Sequence, residues 1–176
     1  MSVTPPLFEV HLLALPVRLA ARSQQHFEEL MREFVLIAAG QQQGHSDHEV
    51  PARLMTLVET LVQQFGAVAG PAEERLADAI DRGDQVIDDH VLEVPAEAGP
   101  AAQALGDLID EADEYCRRGQ HLLTLATPTD CVAYRNWYLG QVITQIQGAA
   151  PIPWSDSEQA ISLRRLTTHR AATHPH

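Results

Sequence analysis

Nine histidines, several of them close to carboxylates, are the residues of this sequence best suited to bind a metal ion. Asp88, Asp89 and His90 are consecutive, and with His26 or His121 they could hold a divalent ion for hydrolysis. Metal sites on helices need several converging pairs, such as the two Glu-x-x-His elements of di-iron bundles. Here one pair occurs, at His26, in the reversed order His-x-x-Glu. A metal-dependent enzyme of unrecognised type is therefore an alternative hypothesis, and we predict neither a metal ligand nor a cofactor.

His26 could also accept a phosphoryl group, because acidic residues follow it on a predicted helix. A phosphotransfer histidine lies exposed beside a basic residue that stabilises the phosphoryl group. Arg22 lies about one helical turn before His26, and Arg32 lies further along the same helix. A degenerate phosphorelay module is therefore a second alternative hypothesis.

The motifs of the common enzyme classes are absent from the sequence. It contains no Gly-rich phosphate loop, no Gly-x-Ser-x-Gly elbow, no His-Glu-x-x-His, no Cys-x-x-Cys and no set of kinase motifs. All 12 basic residues are Arg, so there is no lysine for a Schiff base or a phosphate loop. We predict no catalytic residue, and a binding function is favoured over an enzymatic one.

The main concentration of aromatic residues is YRNWY, Tyr134–Tyr138. Trp137 lies off the helical stripe that contains Val132 and Leu139, so we expect it to be partly exposed. Trp, Tyr and Arg are enriched in protein interfaces. The other interpretation is that a wide helix face packs against two layers at once. The candidate partner-binding residues, which include two from an acidic helix face, are Tyr134, Arg135, Trp137, Tyr138, Asp110 and Glu114.

The charge balance argues against a nucleic-acid partner. The formal net charge is −12 at neutral pH, and such a surface repels a phosphate backbone. The acidic face around Asp110 and Glu114 is a solvated face or a surface for a basic protein partner, with a divalent-cation site as the third alternative. We therefore predict a protein partner and no nucleic acid.

The N-terminal residues and the hydropathy pattern indicate a cytoplasmic protein. Residues 1–10, MSVTPPLFEV, lack the basic region and the long apolar stretch of a signal peptide. No window approaches the roughly 20 apolar residues that a membrane helix needs, so we predict no membrane association. The two cysteines, Cys116 and Cys131, make no disulfide framework and are expected to be reduced thiols.

The pattern of a histidine, apolar residues, a proline and a helix occurs three times, at His11–Phe34, His90–Cys116 and His121–Ile146. Apolar periodicity and helix-ending glycines extend this pattern into a full element order. We also expect the proline-braced segment Ala149–Trp154 to fold Trp154 back onto the body. The predicted elements are strand Leu7–Leu15, a helix from Pro16 to about Ala39, a helix with apolar residues from Leu54 to Phe65, a helix from Gly70 to Gly83, strand Gln85–Val94, a helix ending near Gly119, strand His121–Leu125 and a helix from Thr127 to Gly148.

This order predicts an α+β fold that is predominantly α. About five helices pack on a small three-stranded sheet, in the order β-α-α-α-β-α-β-α. The connection from the second strand to the third is long enough for a right-handed parallel crossover. We expect a single helix-rich domain over residues 1–154 and a flexible C-terminal tail over residues 155–176.

Three segments carry a resemblance to a known family: Leu13–Ala38, Leu122–Gly148 and Pro151–Trp154. They resemble a family of small uncharacterised actinobacterial proteins, and they cover about a third of the chain. The resemblance implies company with partner-switching regulators, in which ATPase-type anti-sigma factors and phosphatases act on binding partners. The ATP-binding Asn and Gly-rich motifs of such anti-sigma ATPases are not visible in this sequence. The resemblance implies no catalytic residue. We therefore predict a non-enzymatic regulatory or protein-interaction module.

Overall fold

The structure is a computed structural model that describes residues 6–42, 70–117 and 127–172. Two strands and five α-helices lie in these three ranges. In chain order they are β1 (Leu7–Pro16), α1 (Val17–Gln42), α2 (Gly70–Arg82), β2 (Val86–Pro95), α3 (Ala98–Arg117), α4 (Thr129–Ile146) and, after a 3₁₀ turn at Trp154–Asp156, α5 (Glu158–Ala172).

β1 and β2 form a two-stranded antiparallel sheet in which Leu12 lies opposite His90. Successive side chains of a strand point to opposite faces. Leu12 and His90 therefore share the inner face, where they are 0% and 4% exposed. The outer face carries His11, whose Nδ1 lies 2.9 Å from an oxygen of Asp89. The sheet thus places one histidine in the core and another at the surface.

α4 is the helix around which the core forms, because it packs against α1, α3, α5 and β1. Trp137 is 2% exposed, and its indole N–H donates to the carbonyl of Ile152 at 2.9 Å. The ring of Trp154 packs edge-on against Trp137, with ring centroids 5.5 Å apart. This arrangement confirms that the proline-braced segment folds Trp154 back onto the body.

Two helices end as the sequence predicts, each at a glycine in the left-handed conformation. Gly83 has a φ of 75° and Gly148 a φ of 91°. Both values lie in the left-handed region, which is energetically unfavourable for a residue that carries a side chain. After α2, Asp84 N–H donates to Ala79 at 2.9 Å, and after α4, Ala149 N–H donates to Thr144 at 3.0 Å. These bonds satisfy carbonyls that the helix itself leaves unpaired.

The C-terminal residues contain a helix that the apolar pattern does not predict. Residues 158–172 form α5 within the segment for which we expect a flexible tail, and the flexibility of that tail stays a prediction. Ser157 precedes the helix, and its hydroxyl accepts from the Ala160 N–H at 3.2 Å, which is an N-cap. Ala160 is 4% exposed, so the first turn of α5 is packed against the body. Ser157 at the N-cap is therefore the sequence feature that indicates α5, which the apolar pattern alone does not predict.

The fold is mixed α+β and mostly helical, as predicted. The described residues form a two-stranded antiparallel sheet, so the three-stranded sheet and the exact element order are not confirmed. Two predicted elements lie outside the described residues: the helix with apolar residues from Leu54 to Phe65 and the strand His121–Leu125. None of the described helices has the length and hydropathy needed to cross a membrane.

Candidate functional site

One side of α4 anchors the helix through three side chains, Trp137, Gln141 and Gln145, spaced one turn apart. The Gln145 amide accepts from the His11 N–H and donates to the His11 carbonyl, both at 2.9 Å. It thereby occupies the free edge of β1 in place of another strand. The side-chain amide oxygen of Gln141 accepts hydrogen bonds from the Ile152 backbone N–H at 2.8 Å and from the Gln145 side-chain N–H at 3.0 Å. We call these three residues the anchoring side.

The other side of α4 borders a cavity of about 500 Å³. The cavity lies between α1, α2, β2, α3 and α4, and most of its lining is aliphatic or aromatic. Its volume falls within the 300–1,000 Å³ that is typical of sites for small molecules and cofactors. We call the residues of α4 that line the cavity the cavity side: Cys131, Tyr134, Arg135, Tyr138, Leu139 and Val142.

Three polar atoms without a hydrogen-bond partner belong to residues that line this cavity. They are Ser23 Oγ on α1, His90 Nδ1 on β2 and Arg135 Nε on α4. They are also all the buried unpartnered side-chain atoms among the described residues. A buried polar atom without a partner costs roughly 1–3 kcal/mol, so such atoms are rare in native folds. Their residues border the cavity, but the three atoms are themselves buried and not open to its space. The cavity is the candidate site because of its volume and its mostly apolar lining.

Arg135 is positioned by two carboxylates on α3. Its Nη1 donates to Asp113 at 3.1 Å, and its Nη2 donates to Asp110. The side chains of Arg135 and Asp113 are only 11% and 4% exposed, whereas that of Asp110 is 64% exposed. Asp113 also accepts from the backbone N–H of Thr127 at 3.2 Å and from its hydroxyl. One buried carboxylate therefore orients Arg135 and holds the chain that enters α4.

Three ionisable side chains at the cavity, those of His90, Tyr134 and Tyr138, favour their uncharged forms. Burial lowers the pKa of His90, and the nearby charge of Arg75 lowers it further against the opposing effect of Asp89. Burial raises the pKa of Tyr138 to about 12, with a contribution from Glu73. Burial also raises the pKa of Tyr134. At neutral pH the cavity therefore presents a neutral imidazole and two neutral phenols.

The candidate partner-binding residues do not form an exposed patch. The expectation that Trp137 is partly exposed is wrong, because the segment around Ile152 and Trp154 covers its ring. Tyr134 is 7% exposed and also lies in the core. A wide helix face that packs against two layers, the other interpretation of this segment, describes the arrangement. Of the six residues Tyr134, Arg135, Trp137, Tyr138, Asp110 and Glu114, three line the cavity, namely Tyr134, Arg135 and Tyr138, and partner binding by the set stays a prediction.

The residues of the metal hypothesis do not converge. His90 lies on the inner face of β2, while Asp88 and Asp89 are exposed, and Asp89 is paired with His11. His121 lies outside the described residues. Within the described ranges, no group of three His, Cys, Asp or Glu residues is placed to hold a metal ion.

The phosphorelay residue His26 is half-buried on α1. Its Nε2 lies 3.0 Å from the hydroxyl of Thr127. We expected Thr127 to cap α4, but Pro128 takes the cap position, and the Thr127 hydroxyl donates to Asp113. His26 therefore belongs to the polar group that joins α1 to the start of α4.

The sequence did not single out the cavity, and two of its polar residues were missed in different ways. Ser23 carries no signal, since a serine on a helix is common and exposed in most cases. His90 was considered only as a metal ligand. The alternation of Val86 to Val94 could have placed His90 on the same face as Leu92 and Val94, and hence in the core.

Comparisons with known proteins find no relative of this chain. No protein-family model, no curated protein and no solved structure matches the chain.

Proposed function

We propose that this protein is a non-enzymatic regulatory module that binds a small, mostly apolar molecule in the cavity beside α4. The observation that carries the proposal is a cavity of about 500 Å³ whose described lining is mostly aliphatic or aromatic. A cavity with an apolar lining and a few convergent polar groups is the usual form of a small-molecule site.

A binding role is favoured over catalysis by the chemistry of the lining. Catalysis needs a nucleophile or a general base within about 3.2 Å of a partner that activates it. Among the described residues, the Cys131 thiol has no hydrogen bond to a base, and the Thr127 hydroxyl, 3.0 Å from His26, donates its proton to Asp113 and not to the histidine. The regulatory part of the proposal rests on the resemblance to proteins associated with partner switching.

The test is a titration with an uncharged dye, Nile red, whose fluorescence rises in an apolar environment. Ala101 lines the cavity, and Ala104, on the same helix and equally half-buried, does not. We expect the wild type and Ala104→Phe to bind the dye with similar affinity. We expect Ala101→Phe, which fills part of the cavity, to bind at least about tenfold more weakly, which is about 1.4 kcal/mol.

Two controls make the titration decisive. Circular dichroism and urea unfolding of both phenylalanine variants show whether each is folded under the conditions of the titration. If folded Ala101→Phe binds the dye as tightly as Ala104→Phe, the dye binds elsewhere and the proposal is wrong. If the wild type shows no saturable binding, the proposal is also wrong.

A further inference from the structure

The mouth of the cavity is marked by Glu73, which lies in the first turn of α2. Of the described residues that line the cavity, Glu73 is the one that is exposed, and the others are half-buried or buried. An exposed residue in the lining shows where the cavity meets solvent. A ligand in the cavity therefore has its inner part among apolar side chains and its outer end near Glu73.

The charge of Glu73 is not balanced by a cation in the described part of the chain. No Arg or His of that part forms an ion pair with Glu73, and Arg75, two residues further on, donates to the Val91 carbonyl. The N-terminus of α2 supplies only about half a positive charge, which Glu73 and Glu74 together exceed. The negative charge of Glu73 also helps to raise the pKa of Tyr138, which lines the cavity.

The guanidinium of Arg135 does not offset this charge. Arg135 is the sole Arg or Lys among the described lining residues. Its terminal nitrogens pair with two carboxylates, those of Asp110 and Asp113, so this group of three side chains carries a net negative charge. An anionic ligand would therefore meet net negative charge along the wall as well as at the mouth, and partly buried charges are only weakly screened by salt.

We infer that the cavity binds an amphipathic organic cation, with its apolar body inside and its positively charged head at the mouth beside Glu73. This inference rests on the proposed function and names the ligand class for the same site. Amines and quaternary ammonium compounds with an aryl or alkyl body belong to this class. Fatty-acid anions and phosphate esters do not, because their negative heads would lie beside the Glu73 carboxylate.

The experiment is displacement of Nile red by three naphthalene derivatives: naphthylmethyl-trimethylammonium, neopentylnaphthalene and naphthylacetate. The first two have the same shape and differ in one atom, a charged nitrogen in place of a carbon. The third has a carboxylate on the same ring system. We expect the wild type to bind the ammonium compound at least about tenfold more tightly than naphthylacetate, because net negative charge attracts one head and repels the other.

Glu73→Gln tests the role of the carboxylate, and Glu74→Gln is its matched control. Both glutamates are exposed on α2, and Glu74 does not line the cavity. We expect Glu73→Gln to weaken binding of the ammonium compound about three- to fivefold, as for a partly exposed charge pair, and to leave binding of neopentylnaphthalene unchanged. We expect Glu74→Gln to weaken binding of the ammonium compound by less than about twofold. Unchanged binding of neopentylnaphthalene shows that the cavity is intact in each variant.

The outcomes distinguish the inference from the proposed function. If neopentylnaphthalene displaces the dye but the two variants bind the ammonium compound equally well, the inference is wrong and the cavity site stands. If naphthylacetate binds more tightly than the ammonium compound, the site recognises an anion and the inference is again wrong. If neither the dye nor any of the three molecules binds, both the inference and the proposed function are wrong.

Discussion

The two sides of α4 differ in how completely their polar groups are hydrogen-bonded. On the anchoring side, Gln145 and Gln141 bond the backbone of His11 and Ile152 with near-ideal distances. On the cavity side, Arg135 keeps an unpartnered Nε although two carboxylates bond its other nitrogens. Folding alone rewards complete pairing. This difference is the one expected if the anchoring side serves stability and the cavity side serves the binding that we propose.

Truncation of the large aromatic residues gives the largest test of this difference. Trp137→Ala removes a ring from a packed core, and such changes cost about 3–5 kcal/mol. Tyr138→Ala removes a ring that already borders the cavity, so fewer contacts are lost, and we expect a cost about 1–2 kcal/mol smaller. Urea unfolding of both variants measures the two free energies. Equal costs would show that the lining is packed as tightly as the core.

The aspartates that hold Arg135 come next in expected effect. Asp113→Asn removes a buried partner of a buried charge, and we expect a loss of about 3 kcal/mol. Asp110→Asn removes an exposed partner and should cost less than about 1 kcal/mol. The free energy of unfolding for each variant decides this. A larger loss for Asp110→Asn would reverse the roles that we assign to the two carboxylates.

Substitution of the polar side chains should change stability in opposite directions on the two sides. Gln145→Ala leaves the His11 N–H and carbonyl unpaired, and we expect a loss of about 2 kcal/mol. Ser23→Ala removes an atom that has no partner, and we expect no loss or a gain of up to about 1 kcal/mol. Thermal unfolding of the two variants beside the wild type measures both. A clear loss for Ser23→Ala would mean that its hydroxyl is already bonded.

The pH dependence of stability should show a smaller effect, through His90. Because its pKa is lowered in the folded state, the folded protein holds this proton less tightly than the unfolded chain does. Its neutral form contributes fully above the ordinary pKa of 6.5, and stability is lost as the pH falls below that value. When the pH is lowered from about 7.5 to about 5.5, the free energy of unfolding should therefore fall by less for His90→Leu than for the wild type.

The other histidines are common to the wild type and His90→Leu, so their contributions cancel in this comparison. The measurement is urea unfolding of both proteins at the two pH values. If the wild type and His90→Leu lose the same free energy, His90 is not held neutral by the fold.

Sequence reasoning located the elements whose signals are local. Gly83 and Gly148 end their helices because a left-handed residue is needed there, and Pro16 directly precedes α1. The exposure of Trp137 could not be obtained in this way. Its ring is buried by Ile152 and Trp154, which reach it only through the folded-back segment after α4. Helical periodicity describes one helix and does not show what covers each of its faces.

The candidate site was harder to predict than the fold for a related reason. A cavity forms in the space between several helices and strands, so no single stretch of sequence predicts it. The sequence singles out Arg135 for its residue type and groups it with Asp110 and Glu114 as a candidate surface. The contact between Arg135 and Asp113, which decides the role of the arginine, joins two helices and has no local signal.

The most direct test of the account follows the methyl groups on both sides of the core by NMR during a titration with ethylnaphthalene. Leu105, Ile109 and Val142 line the cavity, while Leu12 and Val17 are buried and do not. We predict saturable shifts of the three lining residues and little change at the two others. Shifts of equal size at both sets, or none at the lining residues, would contradict the assignment of the cavity as a binding site.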